Sequence, residues 1–404
     1  MGILSERVQQ VKPSATLAIT AKAKALKAAG KDVIGLGSGE PDFDTPEHIK
    51  EAAIKSLRDG FTKYTPVPGV PALREAVAAK YLNECKLEYA VDETIITVGG
   101  KQAFYNLAQA TINPGDEVII PSPYWVSYPD MTILAGGKPV LVDCGEENGF
   151  RITPDQLDAA ITPKTKYLVL CSPSNPTGSA YPDWELKDLA EVLRKHPHVW
   201  VISDDIYEKI VYDGFKFHNI LTVAPDLKDR TVILNGVAKA YSMTGWRIGY
   251  AVGPADVIKG MSKIQGQSTS NATSFAQMGA LAALTGDQGV IKPMLEAFVE
   301  RRDYVVKRLN AMPGVSCRKP EGAFYAYPSV KGFIGKPVPG DEEKIITDSL
   351  VLADYLLEAV GVAIVPGVAF GLDPFFRLSY ATSMEDLVGA MDRLEKVAQQ
   401  LAES

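Results

Sequence analysis

Strand-length apolar runs alternate with longer segments of helical periodicity through the middle of the chain, and this alternation narrows the possible folds more than any other feature. Residues 94–98 (TIITV) precede a helical pattern over 102–112, and 117–120, 138–144, 166–171, 199–204, 231–235 and 248–252 continue the strand series. Between them, 183–195 carries Leu186, Leu189, Ala190 and Leu193 on one helical face. Strands separated by helices join through right-handed crossovers into a mostly parallel sheet covered on both faces, and near-continuous apolar runs suit strands buried on both sides. The expectation is an α/β domain that binds ligands at the carboxyl ends of its strands.

The rhythm changes near residue 290. A helical pattern over 293–312 stops at Pro313-Gly314, strand-like pieces follow at 323–327 and 375–380, and a last helical pattern runs over 384–402. This predicts a large α/β domain over 46–290 and a smaller α+β domain built from 1–45 and 291–404. Lys plus Arg total 42 against 49 Asp plus Glu, a net charge of −7, which disfavours nucleic acid and anionic lipid as partners. No run reaches the ~18 apolar residues of a membrane span. Glu6 and Arg7 interrupt the place where a signal peptide has its apolar core, so export is not expected. Four cysteines, Cys85, Cys144, Cys171 and Cys317, form no CxxC pair and read as free thiols of a cytoplasmic protein.

Five segments at predicted strand ends carry chemistry. Gly99-Gly100-Lys101-Gln102 opens a helix, where free N–H groups and glycines make an anion site or simply a tight turn. It is not the GxGxxG fingerprint, which disfavours a nicotinamide cofactor. Asn175 sits in Ser172-Pro173-Ser174-Asn175-Pro176-Thr177-Gly178, a loop that is either a presenting loop or an Asx-Pro turn. Ser203-Asp204-Asp205-Ile206-Tyr207 ends a buried strand, so Asp204 needs a positive partner unless the pair only caps a helix. Lys239 follows another strand among small apolar residues, where desolvation lowers an amine's pKa and makes it nucleophilic, and Arg247 beyond it suits a phosphate or carboxylate. Arg377, flanked by apolar residues in Phe375-Phe376-Arg377-Leu378-Ser379, must find an anion.

In order along the chain, GSGEPDFDTP, KYTPVPGVPALREA, GGKQA, PYWVSYP, SPSNPTG, SDDIY, NGVAKAYSMTGWRIGY and FFRLS make it resemble the class I pyridoxal-phosphate aminotransferases. Within them it is most similar to the bacterial aspartate aminotransferase branch called Iβ. The resemblance spans almost the whole chain and implies the fold-type I architecture, with a mixed, mostly parallel sheet between helices. It implies pyridoxal 5'-phosphate joined to Lys239 as an internal Schiff base, with Asp204 holding the ring nitrogen's proton. Tyr207 and Asn175 would bond the phenolic oxygen, Trp125 would stack on the ring, and Gly100, Lys101, Gln102 and Arg247 would hold the phosphate. Tyr64 would reach the phosphate of a neighbouring subunit in a homodimer with shared active sites.

For the substrate, the resemblance assigns Gly39 and Arg377 to the α-carboxylate, beside Trp125 and Asn175. Lys101, Ser14 and Thr16 are assigned to the distal carboxylate, and Lys12 to acceptance of prephenate. The implied reaction is ping-pong transamination between L-aspartate and 2-oxoglutarate, giving oxaloacetate and L-glutamate. Prephenate amination is the alternative task, and an amino-acid lyase on the same cofactor a more distant one. Ala238 departs from the serine common before the lysine, which predicts one fewer phosphate contact. His196 and His198 flank Pro197 without Cys or acidic neighbours, and no metal site is expected.

Overall fold

The computed structural model describes residues 3–11, 13 and 15–403. At its centre lies a seven-stranded sheet of β1 (Thr94–Thr97), β2 (Glu117–Ser122), β3 (Lys138–Asp143), β4 (Thr165–Cys171), β5 (Trp200–Asp204), β6 (Thr231–Gly236) and β7 (Gly249–Val252). Their spatial order is β1-β7-β6-β5-β4-β2-β3. Pairings among β2 to β6 are parallel, whereas β7 runs against both β1 and β6. The exception has a simple cause. A parallel return usually runs through a helix laid across the sheet, and the link from β6 to β7, residues 237–248, holds no α-helix, only the short turn Thr244–Trp246.

All the strands except edge strand β3, whose residues are half-buried or exposed, are buried on both faces, as their apolar runs require. Ile95, Val118, Ile120, Val169, Ile202 and Leu234 pack on one side, and Ile96, Ile119, Leu168, Leu170, Val201 and Ile233 on the other. Helices α1 (Ala15–Ala28), α2 (Pro71–Cys85), α3 (Gly100–Thr111), α4 (Asp183–Lys195), α5 (Ala255–Gly266), α6 (Ser274–Thr285), α7 (Lys292–Ala311) and α8 (Met384–Glu403) complete the frame. Against the sheet, α4 buries Leu186, Leu189, Ala190 and Leu193, the face that its spacing predicts. Helix α3 begins two residues ahead of the periodic pattern, because Gly99 takes φ +80° and turns the chain directly from β1 into the helix.

A second, three-stranded antiparallel sheet consists of β8 (Tyr325–Ala326), β9 (Val365–Pro366) and β10 (Phe376–Ser379), in the order β9-β10-β8. Residues from the two ends of the chain meet beside it, where Ile34–Gly35 pairs in parallel with Val362–Ala363. No helix among the described residues is long and apolar enough to cross a membrane.

Candidate active site

The carboxyl ends of β1, β2, β4, β5 and β6 share one edge of the large sheet, and antiparallel β7 starts from that same edge. Topology alone therefore gathers Gly100, Trp125, Asn175, Asp204, Lys239 and Arg247, whose sequence positions span more than a third of the chain. Across from them, β10 presents Arg377. The cleft between encloses about 460 Å³ and is lined by all seven, together with Gly39, Glu40, Tyr128, Tyr207 and Tyr325. Four cations, Lys101, Lys239, Arg247 and Arg377, face two carboxylates, Glu40 and Asp204, so the cleft favours anionic ligands.

Lys239 lies in the turn after β6, where Gly236, Val237, Ala238 and Ala240 leave no polar neighbour to solvate its stem. Its Nζ donates to Gly39 O at 2.5 Å and lies 5.9 Å from the centre of the Phe324 ring. Burial, reinforced by the positive charge of Arg377, pushes its pKa down to about 8. An amine so tuned is unprotonated in an appreciable fraction near neutral pH and is a competent nucleophile and base.

Asp204 ends β5 and is fixed from two directions: Tyr128 Oη donates to its Oδ2 at 2.5 Å and Ile206 N to its Oδ1 at 3.3 Å. Burial raises its pKa, opposed by the Tyr128 hydroxyl, the Ile206 amide and the charge of Lys239. Such a carboxylate is short of one positive partner. Next to it, Asp205 turns away into the core, accepting Ser203 Oγ at 2.6 Å and Asn219 Nδ2 at 2.9 Å. The two adjacent acids thus separate, one for the cleft and one for the fold.

Arg377 is 3% exposed. Its Nη1 donates to Asn175 Oδ1 at 2.8 Å and its Nη2 to Gly37 O at 2.7 Å, while its guanidinium lies 4.5 Å from the centre of the Tyr325 ring. Nε is buried with no hydrogen-bond partner among the described residues. A buried charged donor left in that state costs several kcal/mol until an acceptor arrives, so it suits an anionic ligand.

Where β1 turns into α3, glycines make a cradle suited to an anion. Gly100 and Lys101 open α3, so their N–H groups have no acceptor within the helix. A Cβ on Gly99 would strike the Arg247 guanidinium, and one on Gly249 would strike Gly100 N. Arg247 is held by Thr244 O at 2.9 Å and extends into the cleft. The Gln102 side chain bonds Val98 N at 2.6 Å and Thr269 Oγ1 at 2.6 Å, so it secures the turn between β1 and α3. Trp125 stands edge-on to Tyr128, with centroids 5.2 Å apart and planes at 86°, and Lys101 Nζ lies 5.2 Å from its ring centre.

Of the remaining sequence-predicted residues, Gly39 faces Tyr325 and Tyr64 is 90% exposed, away from this cleft. Lys12, Ser14 and the side chain of Thr16 lie outside the described residues. Sequence reasoning assigned no role to Tyr128, Tyr325 or Glu40, although Tyr128 and Glu40 lie within the PYWVSYP and GSGEPDFDTP segments. Tyr128 stands 76 residues from Asp204 along the chain and Tyr325 118 from Tyr207, and only the fold joins them.

Residues 31–394 match the family described as Aminotransferase class I and II. The chain belongs to that family. This aminotransferase is 55% identical over 395 residues to the aspartate/prephenate aminotransferase of Cereibacter sphaeroides, covering 98% of both chains. It is 54% identical over 393 residues to the protein of the same name from Nitrosomonas europaea, covering 97% of this chain and 98% of that one. Its structure superposes on the aspartate aminotransferase of Rhizobium meliloti with a TM-score of 0.96 at 48% identity, covering 99% of this chain and all of the other. A Thermus thermophilus aspartate aminotransferase solved with maleate gives 0.90 at 46% identity, covering 98% of this chain and 100% of that one.

Enzymes of the family depend on pyridoxal 5'-phosphate, and the residues of this aminotransferase fit it. A lysine amine of lowered pKa, a carboxylate lacking a cation and a glycine cradle whose added Cβ atoms would collide are the features its aldehyde, ring nitrogen and phosphate require.

Proposed function

We propose that this aminotransferase moves the amino group between L-aspartate and 2-oxoglutarate, giving oxaloacetate and L-glutamate, with prephenate as a further acceptor. The observation that carries the proposal is the unsatisfied Nε of buried Arg377 facing the same cleft as Lys239 and Asp204. That arrangement supports binding of an α-carboxylate beside an amine and an electron-withdrawing ring. The names of the Cereibacter sphaeroides and Nitrosomonas europaea relatives, aspartate/prephenate aminotransferase, support aspartate as a donor and prephenate as an acceptor.

Bound pyridoxal phosphate supplies an aldehyde that condenses with an amine and a ring that draws electrons from the attached carbon. Gly100 and Lys101 N–H groups and the Arg247 guanidinium hold its phosphate. Trp125 would stack on its ring, and Asn175 and Tyr207 would bond its phenolic oxygen. Asp204, immobilised by Tyr128, keeps the ring nitrogen protonated. Arg377 fixes the substrate's α-carboxylate and so sets the direction of the Cα–H bond. Lys239 Nζ takes the proton from Cα as general base and, once protonated, acts as the acid of the return step. Lys101, whose Nζ lies beside the Trp125 ring, is assigned with Ser14 and Thr16 to the distal carboxylate, and Lys12 to the acceptance of prephenate.

Exposed Tyr64 supports a homodimer in which each copy completes its neighbour's phosphate site. In this reading a large domain over 46–290 and a small one from 1–45 with 291–404 would carry Lys239 and Arg377 on opposite walls of the cleft. Four free cysteines suit a cytoplasmic location. The test is a steady-state panel of amino donors with 2-oxoglutarate as acceptor, and of glutamate and aspartate with prephenate. Preference for dicarboxylic donors supports the proposal; release of ammonia or carbon dioxide without a stoichiometric oxo acid defeats it.

A further inference from the structure

Tyr325 belongs to neither the phosphate cradle nor the carboxylate clamp, yet it touches parts of both walls. It sits on β8 opposite Ser379 of β10, which puts it diagonally beside Arg377 on the same face of the small sheet. Its ring lies under the Arg377 guanidinium at 4.5 Å, a cation–π contact in a site closed to water. Its hydroxyl reaches across the cleft floor to the hydroxyl of Tyr207, 2.7 Å away. The floor is closed around it: Tyr325 is fully buried, Tyr207 is 3% exposed, and a Cβ on Gly39 would come within 3.0 Å of the Tyr325 hydroxyl. The ionisable groups facing the pair are Arg377 and Cys171, with Lys239 and Asp204 elsewhere on the cleft wall.

A phenol carries a single proton to donate. If Tyr207 gives its own to the phenolic oxygen of the cofactor, the bond between the two tyrosines can only run from Tyr325 Oη to Tyr207 Oη. We infer that Tyr325 is a positioning residue that donates to Tyr207, directs the Tyr207 proton at the cofactor's phenolic oxygen, and at the same time props the Arg377 clamp on its ring. Two walls of the cleft are thereby tied to one side chain, and chained hydrogen bonds strengthen each other by roughly 10–30% per bond. The inference rests on the proposed place of Tyr207 beside the cofactor.

Two variants separate the hydroxyl from the ring. Tyr325→Phe keeps the platform under Arg377 and removes only the donor. The bound cofactor's visible absorption in the holoenzyme should then titrate at a midpoint raised by a few tenths of a pH unit to about one unit, because the ionised phenolic oxygen loses support. The dissociation constant of maleate, a non-reacting dicarboxylate, should stay within about twofold of wild type. Tyr325→Leu removes both and should in addition weaken maleate about 3- to 30-fold, the range of a desolvated cation–π contact. A Tyr325→Phe holoenzyme whose absorption midpoint coincides with wild type overturns the inference, and so does a Tyr325→Leu protein that binds maleate as wild type does. Wild-type protein that takes up no chromophore overturns instead the cofactor reading on which the inference stands.

Discussion

Replacing Lys239 by methionine should make the cofactor-free protein more stable while abolishing transamination. Lys239 is shifted from 10.5 to about 8, chiefly by burial. At 1.36 kcal/mol per unit, holding this ammonium in the folded cleft costs roughly 3 kcal/mol wherever both states are protonated. Loss of the bond from Nζ to Gly39 O returns about 1 kcal/mol of that, leaving a net gain of about 2 kcal/mol at pH 7. The sign of the pH dependence follows from proton counting. Between pH 8 and 10.5 the unfolded lysine still holds a proton that the folded one has released. Stability attributable to this group therefore rises with pH across that window and suffers the full penalty below it.

The advantage of Lys239→Met should accordingly shrink from about 2 kcal/mol at pH 7, pass through zero near pH 10 and reverse to roughly −1 kcal/mol above pH 10.5, where only the lost hydrogen bond remains. Urea unfolding of the two cofactor-free proteins at a series of pH values measures it. Only the difference between the proteins is diagnostic. Buried Cys85 and Cys144, each raised from 9.0 to about 12, lose stability over the same range in both. A variant no more stable than wild type at pH 7, or a difference that does not vary with pH, would refute the claim that the fold holds this amine at an energetic cost.

Asp204→Asn should lower kcat by about 10²–10³-fold, the scale of losing one preorganised electrostatic partner, while far-UV circular dichroism stays unchanged. Arg377→Lys should reduce kcat/KM for aspartate by about 10–100-fold, mostly through KM, because an ammonium cannot keep Asn175, Gly37 and a carboxylate at once. Lys80→Met strands Glu208, whose side chain is 7% exposed and 2.7 Å from Lys80 Nζ; urea unfolding should show a loss of about 3–5 kcal/mol, largely recovered by adding Glu208→Leu.

The sheet was legible because its inner strands are buried on both faces and carry near-continuous apolar runs. The end of β5 was equally plain, since an acid closing an apolar strand has few explanations. Three things were not legible, each for its own reason. The reversed direction of β7 goes with a connection from β6 that folds into turns rather than a crossover helix, which local pattern does not report. Strand β8 is only two residues long, and Ala323 just before it takes φ +56°, so the run over 323–327 read as more regular than it is. Tyr128 and Tyr325 act through a single hydroxyl each on partners distant in sequence, and an isolated tyrosine in an apolar stretch reads as core. The Gln102 side chain, placed by resemblance at the phosphate, is instead spent on Val98 and Thr269.

The account stands on a covalent bond between Lys239 and a vitamin B6 aldehyde. Incubating the protein with pyridoxal 5'-phosphate, reducing with borohydride and mapping the product by peptide mass spectrometry tests it directly. A phosphopyridoxyl group on the peptide bearing Lys239, in about one copy per chain, is the predicted result. Protein that stays colourless, or label that falls on other lysines and leaves position 239 unmodified, would contradict it.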